Sequence, residues 1–336
     1  MKIFKSILTT AILLSTSIHA SGAVEKLQQV KTGSTPLYRY HDKQLQDLSG
    51  SAYVNGHIYL MSDGGKNSDF PEVRITTFDK LEAPAYLFQR QIIQRDIEGA
   101  TQIGNSIYIA SSMSQINEDT DDYRVLSSIR VDGDGQFVSE SYTYARDVIL
   151  SAMKDKFGDD AWLRRVQVSF GKQGGINIEG LSASHNGGNN LVFGFRSPLW
   201  NKDFGSPQLD PSLSLKKGLA ILIEMPDPIG SNLSESSVKL LDLKGQGIRG
   251  IEYIPAMEGY VIISGGVEKL NEYHLWFYEP KSEKVTKLSQ ENDGFSRLCR
   301  PESVLNLPEK STLIILSEES GKACENVEFN YIEYKY

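Results

Sequence analysis

The sequence predicts an all-β fold, a β-propeller of about five four-stranded blades with room for a sixth, one inserted helix and one long loop. Three observations favour this class. A strand–turn–strand pattern recurs five times along the 336 residues. The first two copies are about 50 residues apart, as are the last two, and further strand-like segments follow the copies. Repeats of this length with strands in every unit are typical of propeller blades.

The first residues read as a leader rather than as part of the fold. Lys2 and Lys5 precede an apolar stretch at 7–14, and small residues follow it. A basic start, a short apolar core and a small-residue cleavage zone are typical of a secretory signal peptide, and the alternative is an uncleaved anchor. We expect a signal peptide at 1–23, a single propeller domain at 24–336, and a periplasmic or secreted protein. No later segment reaches the roughly 20 apolar residues of a membrane-spanning helix.

The acidic balance of the chain narrows the choice of partners. The formal net charge is −8 at pH 7, whereas nucleic acids and anionic membranes favour a basic surface. We therefore expect no nucleic acid and no membrane span. The expected partner is a small anionic or polar ligand, bound by a monomer.

Each copy of the repeated pattern is predicted to be a β-hairpin. A short strand leads into an Asn, Gly or Pro turn, and a second strand rich in β-branched or aromatic residues follows, which is the usual signature of this unit. The five copies lie at 48–63, 97–112, 178–196, 251–266 and 301–319.

Segments after the hairpins supply the outer strands of the blades. Examples are 73–79 and 87–93 after the first copy, and 273–280 and 283–289 after the fourth. Two more strands after each hairpin make four strands per blade.

Two insertions and two chain ends complete the predicted fold. Apolar residues at helical spacing predict a helix within 143–162, and a stretch rich in Pro, Ser, Asp and Gly predicts a long loop at 197–217. The strand-like ends, 35–41 and 326–336, are expected to share a blade and so close the ring.

The two cysteines of the chain, Cys299 and Cys324, flank one apolar strand at 312–316. A hairpin would bring them together, and an exported protein meets an oxidising compartment. We predict a disulfide, with two buried thiols as the alternative.

Charged side chains are predicted to meet at one mouth of the central channel. The two inner strands of a blade start and finish at the same face, so residues at the strand heads share a mouth with residues after the second strands. The glutamates placed at strand heads are Glu98, Glu179, Glu252 and Glu302, with Ser49 in the first copy. The other charged residues expected there are Asp63, Lys66, Arg95, Arg196, Arg249 and Arg300.

Three interpretations of this ring remain open and can coexist. The glutamates could be structural, each pairing with an Arg or with backbone of the next blade. Glu98, Glu179, Glu252 and Glu302 could instead converge on a divalent cation, for which Ca²⁺ with its oxygen ligands is the candidate. Alternatively, Lys66 and the arginines could face a carboxylate or phosphate of a ligand, since Arg presents a planar bidentate fork.

Two segments carry a resemblance to a known family. They are NIEGLSAS with LVFGFRSPL, within 177–199, and GQGIRGIEYIP with YVIISGG, within 245–266. The sequence resembles a bacterial family of exported β-propellers, domain-of-unknown-function family 3616, over about 47–319. The resemblance implies a propeller fold and no established activity.

A looser similarity suggests a class of chemistry. The DIEG and NIEG segments are similar to those of β-propeller phytases and esterase-like phytase domains, which hold calcium and phosphate with carboxylates at the channel mouth. Gluconolactonase-like propellers also place a Glu at a corresponding strand head. The longer phytase signatures are absent from this sequence. The positions that match the phytase pattern are Asp96, Glu98, Gly99, Glu179 and Gly180.

The sequence supports two functional hypotheses. In the first, the mouth binds a small anionic or polar ligand, and its catalytic form is a divalent-cation-dependent phosphoesterase or lactonase-like hydrolase. There the cation would activate water, with Glu179, Arg196 and Arg249 as the candidate catalytic residues. In the second, the protein is a non-catalytic binding or scaffold propeller whose Glu/Arg ring is structural. The fold alone does not choose between them.

Overall fold

The computed structural model confirms the predicted propeller. Within the described residues, the strands form five antiparallel sheets of four strands each and one two-stranded sheet. The predicted signal peptide lies outside these residues. The described residues are 27–35, 37–38, 48–62, 72–83, 85–86, 88–89, 94–114, 121–158, 161–169, 174–200, 218–230, 236–266, 272–289, 294–317, 324 and 330–336.

The first strands form blade 1 and part of the ring closure. The described chain begins with β1 (Gln28–Gly33) and β2 (Leu37–Tyr38). Blade 1 then contains β3 (Leu48–Val54), β4 (His57–Ser62), β5 (Glu72–Thr76) and β7 (Phe88–Gln89). The short strand β6 (Ala85–Tyr86) pairs in parallel with β2.

The next three blades follow in chain order. Blade 2 contains β8 (Ile97–Ile103), β9 (Ser106–Ser111), β10 (Val125–Val131) and β11 (Phe137–Tyr144). Blade 3 contains β12 (Asn177–Ala183), β13 (Leu191–Ser197), β14 (Ala220–Met225) and β15 (Ser237–Leu241). Blade 4 contains β16 (Gly247–Ile254), β17 (Gly259–Gly265), β18 (His274–Glu279) and β19 (Lys284–Lys287).

Blade 5 joins the two ends of the chain, as predicted. It contains β20 (Pro301–Leu307), β21 (Thr312–Ser317) and β22 (Tyr331–Lys335), with β1 antiparallel to β22 as its outermost strand. The N-terminal contribution lies earlier than the predicted 35–41. The reason is that β1 is an exposed, polar edge strand, so no apolar pattern marks it in the sequence.

The inner strands form a closed ring. They contact each other in the order β3, β8, β12, β16, β20 and back to β3. Most of the apolar core lies between neighbouring blades, where inner-strand residues are almost entirely buried. The turn of the first hairpin shows why the strands reverse so tightly, since Asn55 and Gly56 both have positive φ, as a two-residue hairpin loop requires.

The insertion between blades 2 and 3 contains two helices rather than one. They are α1 (Arg146–Phe157) and α2 (Ala161–Val168). Gly158, with a φ of 79°, follows α1 and ends it within the predicted helical segment. Met153 and Trp162 belong to the core cluster of blades 2 and 3, so the helices extend that core. Most of the predicted long loop, 201–217, lies outside the described residues.

The helices of the described chain are too short or too polar to cross a lipid bilayer. The disulfide between Cys299 and Cys324 is formed, with Cα atoms 5.6 Å apart, which confirms the predicted pairing.

Candidate functional site

A β-bulge near the start of every inner strand defines equivalent positions around the channel. The pairing with the second strand shifts between Leu48 and Gly50, and the same shift recurs in the other four blades. Bulges of this kind redirect a side chain out of the regular alternation. The residues at the shifted position are Ser49, Glu98, Glu179, Arg249 and Glu302.

The fourth blade therefore corrects the predicted ring of glutamates. Arg249, and not Glu252, is the structural equivalent of Glu98, Glu179 and Glu302. In the repeat pattern of the sequence, Ile251-Glu252 matches the Ile-Glu pairs of the other copies. The structurally matching segment is Ile248-Arg249-Gly250, three residues earlier. β16 accordingly starts at Gly247, before the predicted hairpin at 251–266.

Four of the predicted site residues form a continuous chain of ion pairs across three blades. Arg196 Nη1 lies 2.6 Å from Glu179 Oε1. Arg249 Nη1 lies 3.0 Å from Glu179 Oε2 and 2.7 Å from Glu302 Oε1. The structure thus brings together side chains from β12, β13, β16 and β20, which are far apart in sequence.

Among the side chains of this cluster, that of Arg196 is the most exposed to solvent. The side chains of Glu179 and Arg249 are 3% and 10% exposed, whereas that of Arg196 is 20% exposed. Burial by itself lowers the pKa of Arg249, but the charges of Glu179, Glu302 and Glu98 contribute to a net rise above its usual value. Glu98 therefore lies close enough to the cluster to act on Arg249.

Two further members of the site were missed by the sequence reasoning. The guanidinium carbon of Arg249 lies 5.7 Å from the ring centre of Tyr273, a cation–π distance. Asn177 Nδ2 donates a hydrogen bond of 3.3 Å to Glu179 Oε1. Asn177 directly precedes the Ile-Glu-Gly segment and could have been found from that position. Tyr273 precedes an outer strand, and no sequence signal places it at the channel.

The cluster retains hydrogen-bonding capacity. Among the described residues, Arg249 Nε and Asn177 Oδ1 are buried and make no hydrogen bond to the protein. Buried polar atoms are normally satisfied by protein groups, ordered water or a ligand. One donor and one acceptor next to Glu179 are therefore available to such a molecule.

Glu252 occupies a different place, three residues further along the same inner strand as Arg249. Thr101 Oγ1 of blade 2 donates a hydrogen bond of 3.1 Å to Glu252 Oε2 of blade 4. These blades are not neighbours in the ring, so this contact crosses the channel. Thr101 Oγ1 itself accepts a bond from the amide of Ala183. Burial raises the pKa of Glu252 to about 8, while the Thr101 bond opposes that rise.

The remaining predicted binding residues are Asp63, Lys66, Arg95 and Arg300. Asp63 and Lys66 lie outside the described residues. Arg95 precedes β8 and is exposed. Arg300 precedes β20 with a φ of 49°, and its charge lowers the pKa of Tyr273, which burial raises. Arg300 therefore lies near the cluster.

The described residues show no cluster of metal ligands at the mouth. No group of three or more His, Cys, Asp and Glu side chains among them is arranged to hold a metal ion. Glu179 and Glu302 instead face a guanidinium, which supplies the positive charge that a cation would bring. Calcium binding stays a prediction.

Comparisons with known proteins identify no family for this chain. No protein-family model matches the chain and no curated protein matches it, so the resemblance to the exported propeller family stays a prediction. Among solved structures, the chain is similar to a chain of the "Crystal Structure of Mitotic Checkpoint Complex", at 9% identity and a TM-score of 0.35. That match covers 88% of this chain and 63% of the other, less than two thirds of its length.

Two further structures match over a similar range. The "Crystal structure of RRP9 WD40 repeats" shares 10% identity with a TM-score of 0.39, covering 86% of this chain and 79% of that one. The "Structure of U3-55K" shares 9% identity with a TM-score of 0.38, covering 86% and 80%. Structural similarity at this level carries no information about function. The assignment of the chain as a propeller rests on its own strand topology.

Proposed function

We propose that this protein is an exported binding propeller whose channel mouth holds a small ligand bearing a carboxylate or phosphate group. The observation that carries the proposal is the chain Arg196–Glu179–Arg249–Glu302, drawn from three blades to one end of the inner strands. Arg196 has the most exposed side chain of the four, so a ligand from solvent would reach it first.

The chemistry of the cluster supports an anionic or polar ligand. Glu179 holds both Arg196 and Arg249 in fixed positions, and an arginine so fixed presents donors that match a carboxylate or phosphate. Arg249 Nε and Asn177 Oδ1 supply a further donor and acceptor. The alternative is a purely structural role, in which the ion pairs only tie blades 3, 4 and 5 together.

Export is part of the proposal and has its own support. The disulfide between Cys299 and Cys324 suits an oxidising compartment, where such bonds persist. The leader-like residues 1–23 agree with this location.

The test is thermal unfolding in the presence of candidate ligands. Citrate, gluconate, phosphate and glucose are added at millimolar concentration and constant ionic strength to the wild type, to Arg196→Gln and to Arg130→Gln. Arg130 is an exposed arginine of β10 outside the cluster and serves as the matched control. A ligand that binds the native state raises the melting temperature in proportion to RT ln(1 + [L]/Kd).

We expect at least one anion to raise the melting temperature of the wild type and of Arg130→Gln, but not of Arg196→Gln. No shift with any compound, or equal shifts in all three proteins, would support the structural role instead. Calcium chloride is tested in a parallel sample, and a rise seen only with calcium and reversed by EDTA would favour the metal-dependent hydrolase.

A further inference from the structure

A second cavity lies at the outer part of blade 1, away from the channel. Its volume is about 290 Å³, near the lower limit of typical ligand pockets. Three lining residues have basic side chains, two have hydroxyls, and none of the described lining residues is Asp or Glu. The lining residues are His57, Arg74, Ile75, Thr76, Thr77, Lys80 and Ala83.

The cavity follows from the short outer strand of this blade. In the described chain, β7 pairs only with Glu72 and Val73, so it covers the first half of β5 and not residues 74–76. The chain after β5 folds back as a 3₁₀ turn, Phe78–Lys80. The cavity lies between this turn and the second half of β5.

Arg74 holds the wall of the cavity in place. It is 1% exposed, and its Nη2 donates to the carbonyls of Lys80 and Ala83 at 2.9 and 2.8 Å. Its Nη1 donates to Thr35 Oγ1 at 2.5 Å. Because these bonds fix the return of the chain, Lys80 and Thr77 are held at the same cavity rather than left to move with a surface turn.

The other polar side chains are set around this buried guanidinium. His57 Nδ1 lies 3.0 Å from the carbonyl of Asn55, which orients the imidazole ring. Thr77 precedes the 3₁₀ turn, but its side chain makes no capping hydrogen bond. The residue Lys80 is exposed, so its ammonium group can approach a ligand from solvent. Burial lowers the pKa of Arg74, and an anion nearby would favour its charged form.

We propose that this cavity is a binding site for a small oxyanion, inorganic phosphate or the phosphate group of a small ester. The Lys80 ammonium group, the Thr77 hydroxyl and the His57 ring nitrogens are donors of the kind that recognise such groups, and they lie beside the buried guanidinium of Arg74 on a chain of net charge −8. The site is separate from the channel mouth and does not depend on the function proposed there.

The test is isothermal titration calorimetry of the full chain with sodium phosphate, sodium sulfate and glycerol phosphate, with sodium chloride as the ionic-strength control. The variants are Lys80→Gln, Lys80→Glu and Arg196→Gln, none of which removes the Arg74 bonds to backbone. Lys154→Gln, an exposed lysine of α1, is the matched control.

We expect one phosphate per chain to bind this cavity in the wild type, in Lys154→Gln and in Arg196→Gln, which removes any phosphate held at the mouth. Lys80→Gln should bind about tenfold more weakly, the loss expected for one charge-assisted hydrogen bond. Lys80→Glu should not bind, and Arg196→Gln should bind normally. Absence of phosphate binding to the wild type, or equal affinity in Lys80→Glu, would overturn the proposal. Loss in Arg196→Gln alone would place the anion at the mouth instead.

Discussion

The mouth and the interior of the channel bury glutamates in opposite ways. At the mouth, Glu179 and Glu302 both contact Arg249, and Arg196 adds a second guanidinium to Glu179. In the interior, Glu252 receives one hydrogen bond from the hydroxyl of Thr101 and no described ion pair. Glu252 lies in the regular part of β16, three residues beyond the bulge position that Arg249 occupies, so it differs from Glu179 and Glu302 both in its partners and in the local backbone.

The difference shows what decides the charge state of a buried acid in this fold. A carboxylate taken out of water loses hydration, and only close opposite charges with good geometry offset that cost. The mouth meets this condition because one blade has Arg249 where three others have glutamate. The interior does not meet it, and the pKa of Glu252 rises to about 8, so the neutral acid predominates at pH 7.

Removing the shared cation should have the largest effect. Arg249→Met leaves Glu179 and Glu302 buried without their common partner, and we expect a loss of about 3–5 kcal/mol in the free energy of unfolding. Urea denaturation at pH 7 measures it, provided that unfolding is two-state.

A triple variant separates charge from packing in this prediction. Adding Glu179→Gln and Glu302→Gln to Arg249→Met removes the uncompensated charges and should restore a large part of the lost stability. If the triple variant is no more stable than Arg249→Met, the loss comes from packing against Tyr273, and the comparison between mouth and interior fails.

Much of the fold could be predicted because a propeller repeats one local pattern. The five hairpins carry their own turn signals, such as Asn55-Gly56, and the apolar inner strands recur at each copy. The outermost strands could not be placed as well. β1 is exposed and polar, and its position depends on pairing with β22 at the other end of the chain.

The site could be predicted only in part, for a related reason. The Ile-Glu-Gly segments marked Glu98 and Glu179, but a substitution within the repeat hid the fourth equivalent position. The sequence predicts Arg249 at the mouth as a residue that precedes a glutamate. In the structure Arg249 itself occupies the bulge position of its inner strand, and it contacts two glutamates. The bulge that defines this position is a property of strand pairing, which a visual alignment of apolar residues does not reveal.

Glu252→Gln tests the interior side of the comparison. The folded pKa of about 8 lies above the value of 4.5 for an ordinary Glu, so the folded protein keeps a proton that the unfolded chain has released. Wild-type stability from this group is therefore complete below about pH 4.5 and lost as pH rises toward 8. We expect the variant to gain about 1–3 kcal/mol over the wild type at pH 8.5 and little at pH 5.

Thermal unfolding of both proteins across this pH range measures the gain. Water can reach part of Glu252, which is why the expected value lies below the full linkage limit. A constant difference between variant and wild type at all pH values would show that the pKa of Glu252 is the same in the folded and unfolded protein, and would contradict the prediction.

The smallest effect is expected where an ion pair is exposed, which sharpens the contrast with the mouth. Lys244 Nζ lies 2.6 Å from Asp242 Oδ2, close to the distances at Arg249, but the two side chains are 70% and 56% exposed. Water screens both charges in either state, so Lys244→Gln should change the free energy of unfolding by less than about 1 kcal/mol. Urea denaturation under the conditions used for Arg249→Met gives the comparison. If the two variants lose similar stability, the nitrogen–oxygen distance and not burial determines the strength of these ion pairs. The mouth cluster would then be no stronger than a surface ion pair.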